Sequence, residues 1–153
     1  MNDLLKEKAL KFILYKMRSE KEVRQYLSTK EASLEEIDEI ITYLYHYHYL
    51  DDLQYAEAYA RDKLRFNPIG KIKLRYELSL KGVSSSIIEE VLSEVLDDET
   101  EAEIALNVLV KKRRINDDLY KKHRYLYTRG FSNSAIDKAI NKSEMLSQEE
   151  GFE

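Results

Sequence analysis

The stretch LSLKGVSSSIIEEV, residues 78–91, occurs three times in the chain in related form. LYTRGFSNSAIDKA at 126–139 matches it at a shift of 48 residues, which aligns Gly82 with Gly130. LSTKEASLEEIDEI at 27–40 matches it at a shift of 51. A period near fifty residues is typical of repeat proteins, in which each unit completes its core against a neighbour.

Each repeat reads as three helices, because proline occurs once, glycine four times, and apolar residues recur at three- and four-residue spacing. Helix-start signals repeat along the chain. They are Ser19 with Glu22, Ser33 with Glu36, Thr100 with Glu103, Asn67 before Pro68, and Ser84 and Ser132 after the two turn glycines. We predict an all-α fold of three tandem three-helix repeats in an elongated, curved array, covering 1–50, 51–98 and 99–143. Residues 144–153 are predicted to be a disordered acidic tail.

The segment YLYHYHYLDDLQYAEAYARD, residues 43–62, alternates tyrosine and histidine as a strand does, yet it continues a helical apolar pattern. Asp51 with Gln54 has capping-box spacing, and Leu50 and Tyr55 are placed as a hydrophobic staple. The segment is therefore interpreted as the end of one helix and the start of the next. His46 and His48 would point to different sides of a helix, which argues against a metal site.

Composition excludes several classes of protein. The chain has no cysteine, so it has neither disulfides nor a thiolate nucleophile. The charged amino terminus lacks the apolar run of a signal peptide or membrane span. No pairing of base and nucleophile is evident, and the acidic pairs fall near helix starts, where the helix dipole favours them. We therefore expect a cytoplasmic protein that is not an enzyme, binds no cofactor or metal, and does not contact membranes.

The net charge of -4 hides a periodic distribution. Residues 59–83 hold seven basic and two acidic side chains, 84–103 hold eight acidic and no Lys or Arg, and 104–130 hold eight basic and two acidic. Residues 1–58 show the same basic-then-acidic order. A charge pattern in register with the repeats favours contact with an ordered, charged partner.

Two helices carry the basic positions. In PIGKIKLRYELSLKG, Lys71 and Arg75 lie between two apolar stripes, one of Ile69, Ile72, Tyr76 and Leu80 and the other of Leu74 and Leu78. In DDLYKKHRYLYTRG, one arc holds Leu119, Tyr120, His123, Leu126 and Tyr127. Lys121, Lys122, Tyr125 and Arg129 face away from that arc. Such a surface suits phosphate or an acidic protein surface equally well.

Three segments resemble the RecX family of bacterial regulatory proteins. They are ALKFILYKMRSEKEVRQYLSTKEASLEEIDEIITYL from residue 9, YLDDLQYAEAYARDKLRFNPIGKIKLRYELSLKGVSSSIIEEVL at 49–92, and YLYTRGFSNSAIDKAI at 125–140. Two positions depart from the family pattern: Glu31 stands where the family usually has a turn glycine, and His48 replaces a glycine before YLDD.

The resemblance implies a monomer that binds the RecA recombinase filament. It would negatively modulate the ATPase, strand-exchange and coprotease activities of RecA, and so regulate DNA repair and recombination, including the SOS response. The resemblance leaves open whether the protein also contacts single-stranded DNA within or beside the filament. From exposed basic positions we infer the contact surface. It comprises Lys71, Arg75, Lys111, Lys112, Arg113, Arg114, Lys121, Lys122 and Arg129.

The alternative function is a helix-turn-helix-like DNA-binding regulator, because a helix, a KG or RG turn and a second helix follow one another. The second-repeat helix after that turn, SSSIIEEVLSEVLDDE, is strongly acidic. A recognition helix needs basic and amide side chains to read base edges, which disfavours this alternative.

Overall fold

The computed structural model describes residues 1–151, which form nine α-helices and no strand. The all-α prediction is confirmed. In chain order the helices are α1 Asp3–Tyr15, α2 Glu20–Thr29, α3 Leu34–His46, α4 Asp52–Phe66, α5 Lys71–Leu80, α6 Ser85–Val95, α7 Asp98–Lys111, α8 Leu119–Thr128 and α9 Asn133–Gly151. None of these helices combines the length and apolar character that a membrane span requires.

The helices form two compact units that do not coincide with single sequence repeats. Unit 1 comprises residues 1–59 and 78–88, and unit 2 comprises 60–77 and the described residues from 89 onward. Helices α4, α5 and α6 each contribute residues to both units. The nine helices follow the predicted order in threes, and the division into repeats at 1–50, 51–98 and 99–143 remains a prediction.

Unit 1 is built on α1, α2 and α3, whose apolar faces share one core. Both predicted capping boxes are present: the Ser19 and Ser33 side chains accept from the backbone N–H of Glu22 and Glu36, whose carboxylates accept from the serine N–H groups. The caps fix where α2 and α3 begin. The core residues are Leu5, Ala9, Val23, Leu27, Ile37, Ile40, Ile41, Leu44 and Leu50.

Unit 2 has its core where α7 and α8 pack against α9. Phe131, which follows the second turn glycine, is fully buried, as is Ile136 one turn into α9. These two residues occupy the hydrophobic-staple positions on either side of Ser132. The core residues are Ala105, Val108, Leu109, Leu126, Phe131, Ile136, Ala139 and Ile140.

Both turn glycines lie against the start of an earlier helix within their own unit. In unit 1, a Cβ on Gly82 would lie 2.5 Å from Lys21 Cβ. In unit 2, a Cβ on Gly130 would lie 2.2 Å from Lys73 Cβ and 2.7 Å from Lys73 N. Both glycines have positive φ, 82° and 83°. We call this arrangement the glycine-turn contact; it requires glycine for its space and for its backbone conformation.

Within residues 1–151, three residues other than glycine adopt the left-handed conformation. They are Glu31 with φ 62°, His48 with φ 60° and Arg113 with φ 56°. The first two are the positions at which the sequence departs from the family's glycines, so the turns keep their backbone geometry without glycine. A side chain with a Cβ is strained in this region.

Two predicted helix starts are wrong. α7 begins at Asp98, because Asp97 accepts from Thr100 N at 2.8 Å, so Thr100 lies inside the helix that it was predicted to cap. α5 begins at Lys71 and not at Pro68. Asn67 instead accepts a 3.0 Å hydrogen bond from Arg129 Nη2, a contact distant in sequence that local patterns do not reveal.

The carboxyl-terminal segment also differs from its prediction. α9 continues to Gly151, so residues 144–151 are helical rather than disordered. The fully buried Ser143 and the 2.7 Å hydrogen bond from Ser147 Oγ to Asn116 Oδ1 tie this part of the helix to unit 2. The segment also consists mainly of good helix formers. Residues 152–153 of the predicted tail lie outside the described residues.

Candidate partner-binding surface

The end of α7 presents a run of exposed cations. Lys111 is the last helical residue, Lys112 caps the helix end, and Arg113 follows in the left-handed conformation; all three side chains are exposed. The backbone N–H groups of Lys112 and Arg113 donate to the carbonyls of Val108 and Val110. Cations at a helix carboxyl end meet the negative end of its dipole. The fold therefore keeps these three charges at the surface.

A cleft beside this run is lined by basic side chains. Its volume is about 410 Å³, and its lining residues are Arg114, Lys121, Arg124, Tyr125 and Thr128. We call it the basic cleft. Lys121, Arg124 and Thr128 follow three- and four-residue spacing, so they share one face of α8. Sequence reasoning missed Arg124, although this spacing from Lys121 was a visible signal.

Tyr125 is clamped by two guanidinium groups. The Arg114 guanidinium lies 4.3 Å from the centre of the Tyr125 ring, and the Arg129 guanidinium lies 5.5 Å from it. Arg114 also donates to Asp117 at 3.1 Å. Tyr125 is half-buried, not the exposed ring that the sequence predicted. Because arginines already contact the ring, the cleft offers charge and hydrogen bonds more than a stacking surface.

Arg129 holds the chain together and is only partly available to a partner. Its Nη2 donates to Asn67 Oδ1 and to the Pro68 carbonyl, both at 3.0 Å. Its Nε is buried without a hydrogen-bond partner among the described residues. Arg129 thus fixes the loop before α5 while bordering the basic cleft.

Lys122 was predicted to lie on the exposed surface, and the structure shows that it is buried. Its relative exposure is 4%, and its Nζ donates to Ser143 Oγ at 3.0 Å. Ser143 Oγ in turn donates to the Ile140 carbonyl at 2.7 Å. The aliphatic stem of lysine can pack as an apolar group while its ammonium finds an acceptor. Lys122 therefore belongs to the α8–α9 packing and not to a binding surface.

The apolar arc predicted for α8 is also wrong, because most of its residues are exposed. Leu126 is buried, whereas Leu119, Tyr120 and Tyr127 are 60–71% exposed and His123 is exposed. Lys122 and Leu126, one turn apart, form the buried face. A similar difference holds in α5, where Leu74 and Leu78 are buried but Ile72, Tyr76 and Leu80 are exposed.

Lys71 and Arg75 are paired with acids inside unit 2. The ammonium of Lys71 contacts Asp98, and this hydrogen bond holds the pKa of Asp98 below its usual value. Arg75 Nε lies 2.7 Å from Glu89, which likewise lowers the pKa of Glu89. These two cations are partly neutralised, unlike Lys111 and Lys121.

The predicted contact residues thus separate into groups. The structure brings Arg114 and Lys121 together in the basic cleft and places Arg129 against Tyr125 of its lining. It exposes Lys111, Lys112 and Arg113 at the adjoining helix end. Among residues 1–151, no group of three or more His, Cys, Asp or Glu side chains is placed to hold a metal ion. The arrangement can bind an anionic partner.

Two family models match the chain. A model of the RecX first three-helix domain matches residues 6–44, and a model of the RecX second three-helix domain matches residues 51–92. Together they cover more than half of the sequence. They fall on α1–α3 and on α4–α6.

Similar proteins carry the same family name. The Bacillus pumilus protein named "Regulatory protein RecX" is 37% identical over 90% of this chain and 54% of its own length. The Clostridium botulinum protein of that name, from strain Eklund 17B, is 36% identical over 90% of this chain and 68% of its own length. The chain therefore spans about half to two thirds of these curated relatives.

Solved structures agree with the sequence relatives. The crystal structure of RecX from Lactobacillus salivarius has a TM-score of 0.85 and 28% identity, covering 94% of this chain and 96% of that one. A second crystal structure, of regulatory protein RecX, has a TM-score of 0.76 and 26% identity over 90% of this chain and 72% of that one. On its sequence, its two three-helix domains and its fold, the chain belongs to the RecX family of regulatory proteins.

Proposed function

We propose that this protein binds the RecA recombinase filament on single-stranded DNA and restrains its ATP hydrolysis, strand exchange and coprotease activity. Family membership supports a regulatory role. The observation that carries the mode of binding is the cluster of exposed cations at the end of α7 and along α8. A filament of protein on nucleic acid is an ordered, charged partner of the kind this cluster fits.

The contact surface differs from the nine positions named from sequence. We keep Lys111, Lys112, Arg113 and Lys121, and we add Arg124. None of these five side chains forms an ion pair with another described side chain. Arg114 and Arg129 support the surface by holding Tyr125. Lys71 and Arg75, being paired with acids, are secondary positions, and Lys122 is removed.

Direct reading of duplex DNA is less well supported. α6, which follows the KG turn, exposes Glu89, Glu90 and Glu94. Carboxylates there would meet phosphates of the same sign, and a recognition helix needs donors for base edges. DNA binding without RecA is therefore the alternative result that the experiment below would reveal.

The test is ATP hydrolysis by RecA on single-stranded DNA, with this protein added after filaments have formed. We expect inhibition at substoichiometric amounts. The double variant Lys121→Glu/Arg124→Glu is expected to lose most of this inhibition, because two attractive charges become repulsive ones. Inhibition by the unaltered protein should also weaken as salt rises.

The matched control is Lys11→Glu/Lys16→Glu, which makes the same charge change at two exposed lysines of the first repeat. Equal loss in both double variants would show that net charge, not the basic cleft, governs the effect. Absence of inhibition at equimolar protein would contradict the proposed function. Sequence-dependent binding to duplex DNA without RecA, measured by fluorescence anisotropy, would favour the alternative.

A further inference from the structure

The glycine-turn contact is present in each of the two units, and one hydrogen bond of each contact joins equivalent positions. In unit 1, Ser19 Oγ donates to the Lys81 carbonyl at 2.7 Å and Lys21 Nζ donates to the Leu80 carbonyl at 3.0 Å. In unit 2, Gly70 N donates to the Arg129 carbonyl and Ile72 N donates to the Gly130 carbonyl, both at 3.0 Å. Shifts of 51 and 48 residues relate Ser19 to Gly70 and Lys81 to Arg129. The second hydrogen bond ends on different carbonyls, that of Leu80 in unit 1 and that of Gly130 in unit 2.

A carboxylate completes each contact. The Asp52 side chain accepts from the backbone N–H of Glu20, the first residue of α2, at 2.9 Å. The Glu101 side chain accepts from the backbone N–H of Lys71, the first residue of α5, at 2.9 Å. Both hydrogen bonds satisfy a donor that the helix itself leaves unpaired. The contact thus joins the start of a second helix, which donates the hydrogen bonds, to a later turn and a carboxylate, which accept them.

The residue just before this second helix decides whether a turn fits. Ser19 is fully buried against its turn, and Gly70 is buried so closely that a Cβ would lie 2.2 Å from Phe131 Cα. The third equivalent position is Asp118, which is exposed and caps α8. A carboxylate has no proton to donate to the incoming carbonyl, and burying it there unpaired is costly.

The first repeat carries a third turn of this kind, for which no such contact is found among the described residues. Lys30 corresponds to Lys81 and Arg129, and Asp3, like Asp52, is the first residue of its helix. The glycine position is occupied by Glu31, whose backbone already has the left-handed conformation. Its side chain fills the space that a docked turn must leave empty.

We propose that Glu31 and Asp118 keep copies of this chain from stacking on one another through the glycine-turn contact. The partner that fits the start of α8 is the first-repeat turn of a second copy, and each residue blocks one side of that contact. A contact between two different surfaces of the same chain generates open filaments unless a residue blocks it. The inference does not depend on the proposed action on RecA.

The test is the solution mass of Glu31→Gly/Asp118→Ser, measured by sedimentation velocity over a hundredfold range of concentration. Serine copies the cap and the hydroxyl of Ser19, and glycine copies residues 82 and 130. We expect the unaltered chain to stay at its monomer mass of 18.1 kDa. The double variant should at least double its weight-average mass at the highest concentration, and each single variant should associate less.

Specificity is tested by adding Tyr120→Pro to the double variant. Tyr120 corresponds to Ile72, whose N–H donates to the turn, and proline is tolerated in the first turn of a helix. This triple variant should return to the monomer mass with unchanged helical circular dichroism. A helical double variant that stays monomeric, association that survives Tyr120→Pro, or association of the unaltered chain that Tyr120→Pro abolishes would each overturn the proposal.

Discussion

Glu101 accepts a 2.6 Å hydrogen bond from the hydroxyl of Ser132 although its own side chain is completely buried. The same carboxylate accepts from the backbone N–H of Ser132 at 3.0 Å and from that of Lys71 at 2.9 Å. One buried acid thereby satisfies donors at the starts of both α5 and α9, where the helix dipoles are positive.

Replacing this acid should strongly destabilise the fold. In Glu101→Ala three donors lose their acceptor inside the protein, and we expect the free energy of unfolding to fall by about 2–4 kcal/mol. Urea denaturation followed by circular dichroism measures the change. Glu103→Ala, at an exposed position of the same helix, is the control and should stay within about 0.5 kcal/mol of the unaltered chain. A loss as small as the control's would show that water replaces the carboxylate.

Replacing His48 by glycine should stabilise the protein. Its φ of 60° is strained for a residue with a Cβ, so His48→Gly should raise the free energy of unfolding by about 1 kcal/mol. Glycine also adds entropy to the unfolded chain, which limits the gain. His48→Ala keeps a Cβ and should not stabilise. Equal effects of glycine and alanine in urea denaturation would rule out backbone strain as the cause.

Adjacent lysines should separate binding from packing. Lys122→Met keeps an aliphatic chain, but the Ser143 hydroxyl oxygen loses the ammonium that donates to it. The free energy of unfolding should therefore fall by about 1–2 kcal/mol, whereas RecA inhibition should stay intact. Lys121→Met removes a charge from the basic cleft and should weaken inhibition without altering stability. Both variants are to be compared by urea denaturation and by the ATPase assay. If Lys122→Met weakened inhibition and Lys121→Met did not, the basic cleft would not be the contact surface.

Glu22 makes the free energy of unfolding depend on pH, and the direction of its pKa shift gives the sign of that dependence. Burial raises its pKa, but hydrogen bonds from the Ser19 backbone and from Tyr55, together with the charge of Lys81, outweigh burial and lower the pKa below 4.5. The folded chain therefore binds this proton less readily than the unfolded chain does. Its stabilising contribution is complete above pH 4.5 and is lost as the pH falls from there through the folded pKa.

Glu22→Gln should consequently lose less stability than the unaltered chain between neutral and acid pH. Its amide oxygen can still accept from Ser19 N, so the capping box is retained in part. Asp52 acts in the opposite direction, because its pKa is raised, chiefly by burial and in part by the charge of Glu22, so Glu22→Gln also reduces this rise. Parallel curves of unfolding free energy against pH for the two proteins would exclude Glu22 as the source.

The helices and their caps were predictable because the interactions that set them are local. Ser19 and Ser33 cap their helices through residues three positions away, and the staple at Phe131 spans five. Thr100 failed because Asp97, an equally good cap, comes three residues earlier. The choice between two such caps depends on packing that lies beyond the local pattern.

The surface was predictable only in part, since exposure depends on contacts distant in sequence. Lys122 is placed by Ser143 and Arg129 by Asn67, pairings that separate the partners by 21 and 62 residues. Charge patterns identified the end of α7, where helix termination leaves side chains at the surface. They did not distinguish free cations from the paired Arg75, whose partner Glu89 lies on another helix.

The glycine-turn contact also supplies a rule for protein engineering. A designer who copies the second repeat in tandem would place serine or glycine before every internal second helix and glycine in every internal turn. Glutamate and aspartate would then be kept for the two outermost positions, equivalent to Glu31 and Asp118. Array length becomes a choice made at two residues per junction.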